Sequence, residues 1–279
     1  MPADPLSGVD PVPGVAKGDP ILVVDEVTRR YGGLLAVDVD HLEVPRGVIT
    51  ALIGPNGAGK TTFFNLLCGF ERPDAGRWTF EGQRANGVTP HALARRGMVR
   101  TFQLTKALAQ MTVLDNMLLA GRDQSGEHIR WAPFRFTWRA EEEANLAKAH
   151  DLLSRFQLDR LACEYASGLS GGQRKLLEMA RALMAEPTLV MVDEPMAGVN
   201  PVLTQSLLGH ITALRDQGLS VLFVEHDMDV IMTISDWVVC MAEGRIIAEG
   251  RPADIAGNDA VIEAYLGIDH GETARRAEP

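Results

Sequence analysis

Two hydrophobic rhythms run along this 279-residue chain. In the first, short stretches are apolar at nearly every position: Val48-Ile49-Thr50-Ala51-Leu52-Ile53, Leu189-Val190-Met191-Val192, and residues 219–224. Such runs fit strands of a sheet that is covered on both faces. In the second, apolar residues recur at three-and-four spacing, the mark of a buried helix face. Phe63, Leu66, Leu67 and Phe70 follow it, as do Leu146, Ala149, Leu152, Leu153 and Phe156, and again Leu176, Leu177, Ala180, Leu183 and Met184. The pattern predicts further strands over 21–27, 35–44, 77–80, 98–102, 236–241 and 245–250. Further helices are predicted over 91–96, 116–120 (opened by a Thr112/Asp115 capping box), 138–156, 201–217 and 260–266. Residues 1–20, with five prolines and no periodicity, read as a disordered leader, and 271–279 as a mobile polar tail.

The strand at 48–53 runs directly into Gly54-Pro55-Asn56-Gly57-Ala58-Gly59-Lys60-Thr61-Thr62, which opens a helix. This is the Walker A phosphate loop. Glycines let the backbone curl so that successive N–H groups face phosphate oxygens, and the helix adds unpaired donors and the positive end of its dipole. Lys60 is expected to reach the terminal phosphates and the Thr61 hydroxyl to ligate Mg²⁺. A nucleoside triphosphate site follows.

A second small-residue turn, Leu169-Ser170-Gly171-Gly172-Gln173, opens another helix and again aims backbone donors at an anion. One triphosphate needs only one such loop, so the second is read as serving a nucleotide held by another subunit. The run ending in Asp193-Glu194 is the Walker B pattern. In a sheet buried on both faces, acids belong at the carboxyl end, where ligands bind. Asp193 is expected in the metal shell and Glu194 as general base or water-orienting group. His226 ends the 219–224 strand in the same way and could contact the γ-phosphate or the water, since imidazole can donate and accept. Tyr31, upstream of the phosphate loop, is a candidate to stack on adenine, with plain packing as the other reading. Trp131, Phe134, Phe136 and Trp138, interleaved with arginines, form either a docking surface or a loop packed on its own domain.

Composition narrows the partners. Acids outnumber bases, 37 to 27, for a net charge of −10. A phosphate-backbone binder shows a basic excess or stripe, so no nucleic acid is expected as main partner. No apolar run approaches the roughly 20 residues that span a bilayer, and no secretory signal is visible. A cytosolic chain is expected, held at a membrane only by a partner. Cys68, Cys163 and Cys240 are too scattered for a metal or redox pair.

GPNGAGKTT, Gln103, LSGGQ, LVMVDE and His226, in this order, resemble the ATPase subunit of ABC transporters along essentially the whole chain after residue 20. Arg100-Thr101-Phe102-Gln103, Glu225-His226-Asp227-Met228, the ending Val261–Gly267, and Asn200 where most of the family carries Asp are similar to the branched-chain amino acid importers. Urea, amide and lipopolysaccharide-export ATPases share several of these features. The resemblance implies an α/β P-loop NTPase fold over 21–270: a mostly parallel core sheet, an antiparallel β subdomain and an inserted helical subdomain at about 104–169. It implies ATP and Mg²⁺, with Gln103 joining Thr61 and Asp193 at the metal and linking it to that subdomain. It also implies a head-to-tail homo- or heterodimer sandwiching two ATP molecules, each between Gly54–Thr62 of one subunit and Ser170–Gln173 of the other. The implied partners are transmembrane permease subunits and a periplasmic or lipid-anchored solute-binding protein, with the ATPase peripheral on the cytoplasmic face of the inner membrane. Two other classes have less support. A nucleic-acid ATPase of the family would carry tandem cassettes or a long coiled-coil insertion, and in a P-loop kinase the LSGGQ turn has no task.

Overall fold

The computed structural model describes residues 4–101, 108–122, 135–198 and 201–266, excluding the side chains of 135–138 and 202. Gln103, Val199 and Asn200, the four-aromatic cluster at 131–138 and the tail 271–279 lie outside what is described.

The strand before the phosphate loop, β3 (Ile49–Ile53), is buried at all five positions. Its burial follows from its place in a six-stranded sheet of order β10-β9-β3-β8-β7-β6. The neighbours are β6 (Met98–Arg100), β7 (Leu189–Asp193), β8 (Ser220–Val224), β9 (Trp237–Ala242) and β10 (Arg245–Gly250). β6, β7, β8, β3 and β9 pair in parallel, and β10 closes the edge antiparallel to β9.

Alternate side chains of each strand enter two different cores. Ile49, Ala51, Ile53, Val190, Val192, Val221 and Phe223 join one; Leu52, Leu189, Met191, Leu222 and Val224 join the other. The sheet is therefore covered on both sides, which is why its strands lack the polar alternation of a half-exposed sheet.

On one face lie α1 (Lys60–Leu67) and a four-stranded antiparallel sheet of order β2-β1-β4-β5. Its strands are β1 (Pro20–Tyr31), β2 (Leu34–Pro45), β4 (Ala75–Phe80) and β5 (Gln83–Arg84). β1 and β2 meet through a two-residue turn at Gly32-Gly33, with Gly32 at φ 58°. The hairpin geometry carries β1 to Tyr31, so that residue ends a strand instead of sitting in a turn. A short helix, α2 (Pro90–Arg95), precedes β6.

The other face carries α3 (Val113–Leu118), α4 (Arg135–Arg155), α5 (Gly171–Met184), α6 (Pro201–Asp216), α7 (Met228–Ile234), α8 (Pro252–Ala256) and a helical stretch at 259–266. α3, α4 and α5 pack on one another. The capping box is present in both halves: Thr112 Oγ1 accepts from the Asp115 amide, and Asp115 accepts from the Thr112 amide. α7 and α8 are elements that periodicity does not reveal, because neither is long enough to repeat a pattern.

The proline-rich leader differs from expectation. From residue 4 onward it is seated on the body of the protein. Leu6 is buried in the core shared with β1 and β2. The Lys17 ammonium pairs with Glu249 at 2.7 Å, both side chains being fully buried. Glu249 also accepts from the Val15 amide at 3.1 Å and the Trp237 indole at 2.9 Å, so the buried charges are fully engaged. Composition alone suggested disorder; one buried lysine with a partner 232 residues away holds the segment instead.

Candidate functional site

The phosphate loop is shaped by glycines that no other residue can replace without strain. Gly54 has φ 145°, and a Cβ there would lie 2.1 Å from the Met241 carbonyl oxygen. Gly59 has φ 95°, and its Cβ would lie 2.3 Å from the Ala36 oxygen. Both obstacles are backbone, so they cannot swing aside. The loop closes on itself through Ala58 N–H to Pro55 O at 3.2 Å and is braced by Gly244 N–H to Ala58 O at 3.0 Å. Gly54 and Ala58 are buried; Asn56, Gly57 and Thr61 are exposed, with Pro55, Gly59, Lys60 and Thr62 half-buried. α1 has no side-chain cap, so the first-turn N–H groups remain donors for an anion.

Lys60 Nζ donates to the Gly54 carbonyl at 2.5 Å and the Pro55 carbonyl at 2.9 Å. Burial lowers its pKa, and the Glu194 carboxylate opposes that shift. The Walker A lysine thus feels the Walker B acid within a single chain.

Sheet register explains the meeting. Leu52 of β3 pairs with Val224 of β8, and Val224 pairs with Asp193 of β7. The carboxyl ends of three adjacent strands are level, so the phosphate loop, Asp193-Glu194 and Glu225-His226 all leave the sheet at one rim. Glu194 N–H donates to the Val224 oxygen at 3.0 Å, which fixes the acid beside the end of β8, and Glu194 takes a left-handed φ of 45°. His226 is exposed, with Nδ1 3.7 Å from the Glu225 carboxylate.

Three residues at this rim carry roles that the sequence reading did not assign. Arg100, ending β6, pairs with Asp193 Oδ2 at 2.7 Å and with Asn65 Oδ1 at 2.7 Å, its guanidinium lying over Phe64 and Phe70. Glu225 is 1% exposed and accepts from the Met196 amide at 3.0 Å and the His226 amide at 3.1 Å, so it shapes the turn after Glu194. Lys175, one turn into α5, donates to the carbonyls of Pro195 at 2.8 Å and Ala197 at 2.5 Å. Burial lowers its pKa against the opposing pull of Glu225, Glu178 and Glu194. No local signal flags Arg100 or Lys175: Arg100 is followed by Thr101 and Lys175 by Leu176, and each acts on residues far along the chain.

The second turn is built differently. Ser170 Oγ accepts from the Gln173 amide at 3.2 Å, and Gln173 Oε1 accepts from the Ser170 amide at 2.9 Å, a complete capping box. Gly172 packs against a side chain: a Cβ would lie 1.5 Å from a Leu203 methyl of α6, which would have to shift. The hydrogen bonds of the two loops run to separate neighbours: Lys60 to the Gly54 and Pro55 carbonyls, the Gly54 N–H to the Tyr265 hydroxyl at 3.0 Å, and Ser170 and Gln173 to each other. Tyr31 is exposed, its hydroxyl bonded to Glu71 and its ring 4.9 Å from the Arg29 guanidinium.

Among the described residues no group of three or more His, Cys, Asp or Glu could hold a metal by itself. The donors at hand, the Thr61 hydroxyl and the Asp193 carboxylate, fit a hard cation that takes few protein oxygens and the rest from phosphate and water.

A family profile described as ABC transporter matches residues 37–197, and one described as branched-chain amino acid ATP-binding cassette transporter matches 245–271. The chain is 44% identical over 252 residues to a probable branched-chain amino acid transport ATP-binding protein, LivG, of Archaeoglobus fulgidus, covering 90% of this chain and 97% of that one. It is 41% identical over 251 residues to the high-affinity branched-chain amino acid transport ATP-binding protein BraF of Pseudomonas aeruginosa, covering 89% and 98%. Among solved structures it resembles the ADP conformation of an ATP-binding cassette of an ABC transporter, with TM-score 0.78, 37% identity and coverage of 90% and 100%.

Proposed function

This chain belongs to the ATP-binding family of ABC transporters, and we propose that its ATPase energises uptake of branched-chain amino acids through a transmembrane permease. The observation that carries the reading is the level rim of β3, β8 and β7, which brings Lys60, Asp193, Glu194 and His226 to one edge of the sheet. The profile over 245–271 and the two named relatives favour branched-chain amino acids as the solute.

In this reading the amides of Gly57–Thr62 and the Lys60 ammonium hold the terminal phosphates of ATP. Lys60 exchanges the Gly54 and Pro55 carbonyls for phosphate oxygens. Thr61 and Asp193, with Gln103, hold Mg²⁺, which neutralises phosphate charge when bound. Glu194 takes a proton from the water that attacks the γ-phosphorus as the bond to the β-phosphate oxygen breaks, and His226 orients that water or the γ-phosphate. The Ser170–Gln173 turn completes the site of a second, identical or paralogous subunit. ATP binding closes the pair and product release reopens it, a two-state element that biases the permease. Residues 104–169 form the side that docks on the permease, and a solute-binding protein delivers the amino acid. No helix among the described residues is long and apolar enough to cross a membrane, which suits a subunit held peripherally on the cytoplasmic face.

Glu194→Gln tests the chemistry. It should leave ATP binding intact and slow turnover by at least about a hundredfold, the scale of general-base catalysis; steady-state phosphate release and equilibrium ATP titration measure the two. Turnover close to wild type would remove Glu194 from its role.

A further inference from the structure

The N–H of Gly54, the first residue of the phosphate loop, donates to the hydroxyl of Tyr265 at 3.0 Å, across 211 residues of sequence. The carbonyl of the same Gly54 accepts the Lys60 ammonium. A single residue, Gly54, therefore separates the hydroxyl of the C-terminal helical stretch, on its N–H, from the lysine expected on the terminal phosphates, on its carbonyl. Tyr265 is well placed to act as a fixed post. Its ring packs against the core that contains Ile53 and Cys240, which pair in register. Gly54 has φ 145°, a value that favours glycine, and a side chain there would meet the Met241 carbonyl, so the position is reserved for glycine. Next to this contact the helix and the loop are separated by a cleft of about 560 Å³, lined by Pro55, Ala58, Ala242, Arg245, Ala260 and Ala264.

We propose that Tyr265 is a positioning residue for the phosphate loop, through which the C-terminal helix sets the affinity for the nucleotide phosphates. The inference rests on Lys60 as a phosphate ligand. The physical argument is one of alternatives. Without the hydroxyl, the buried Gly54 N–H loses its acceptor, and the loop recovers a partner by changing the Gly54 backbone torsions, which moves the Lys60-binding carbonyl on the other side of its Cα. The segment that the branched-chain profile matches at the C-terminus then has a task in the ATP cycle as well as in packing.

The test is Tyr265→Phe in the full chain, which keeps the ring and removes only the acceptor. ATP titration should show a Kd five- to tenfold above wild type, roughly the effect of one unsatisfied buried amide. KM for ATP should rise in step while kcat and the melting temperature of the nucleotide-free protein hold. In a Lys60→Ala background the same substitution should cost little further, because the two act through one residue, Gly54. Wild-type ATP affinity in Tyr265→Phe, or full additivity with Lys60→Ala, would overturn the proposal. A fall in kcat and melting temperature with unchanged KM would overturn it too, by reducing Tyr265 to a packing residue. Unimpaired ATP binding by Lys60→Ala alone would instead overturn the reading of the loop on which this inference depends.

Discussion

The loops at Gly54–Thr62 and Ser170–Gln173 look alike in sequence, small residues opening a helix, yet they solve opposite problems. The first leaves its helix uncapped and spends its glycines on close backbone approaches, Gly54 to Met241 and Gly59 to Ala36. The donors of its first helical turn stay open. The second caps itself: Ser170 and Gln173 satisfy each other's amides, and Gly172 makes room for a flexible leucine side chain. In the proposed reading the first is a complete cradle for phosphate. The second offers chiefly the amides of its two glycines, a contribution that suits an anion already held by something else. That contrast is what a half-site shared between two subunits should show.

If the contrast is right, damage to the two loops must separate. Gly54→Ala should have the largest effect. The new Cβ meets a backbone oxygen at 2.1 Å, so ATP binding should be lost and the melting temperature should fall. Strain of about 1–3 kcal/mol would lower it by roughly 3–10 °C for a domain of this size. Ser170→Ala should do less and do it elsewhere. Losing the cap costs about 1 kcal/mol, or roughly 2–4 °C, and monomer ATP affinity should stay at the wild-type value while turnover of the assembled pair falls. Equal loss of monomer ATP affinity in both variants, by titration at subunit concentrations too low for dimers, would erase the distinction.

The smallest effect concerns alkaline pH. The Cys68 and Cys240 thiols, in the cores on opposite faces of the six-stranded sheet, are pushed up by burial to about 12 from an ordinary 9.0. In the unfolded chain they lose protons first, so the folded state binds more protons and unfolding becomes easier as pH rises. Their contribution is whole below pH 9 and is lost progressively towards 12. Urea midpoints at pH 8 and pH 10.5 should show the decline, and at pH 8 a thiol reagent should label the exposed Cys163 alone in the folded protein.

Much of this molecule was legible without coordinates because its decisive signals are local. A strand, a glycine turn and a helix lie within twenty residues around Lys60; the Walker B acids follow directly on β7; the Thr112 capping box spans four positions. In each case the physics acts between near neighbours, so residue type and spacing carry it. The parallel sheet was legible too, since strands covered on both faces lose their polar alternation. Tertiary structure alone decided which distant residues hold those motifs in place. Arg100 reaches Asp193 across 93 positions, Tyr265 reaches Gly54 across 211, and Lys17 reaches Glu249 across 232, turning an expected loose leader into part of the core. Contacts of that kind impose no period and no spacing, because they depend on how the strands are ordered in the sheet and not on how residues follow one another along the chain.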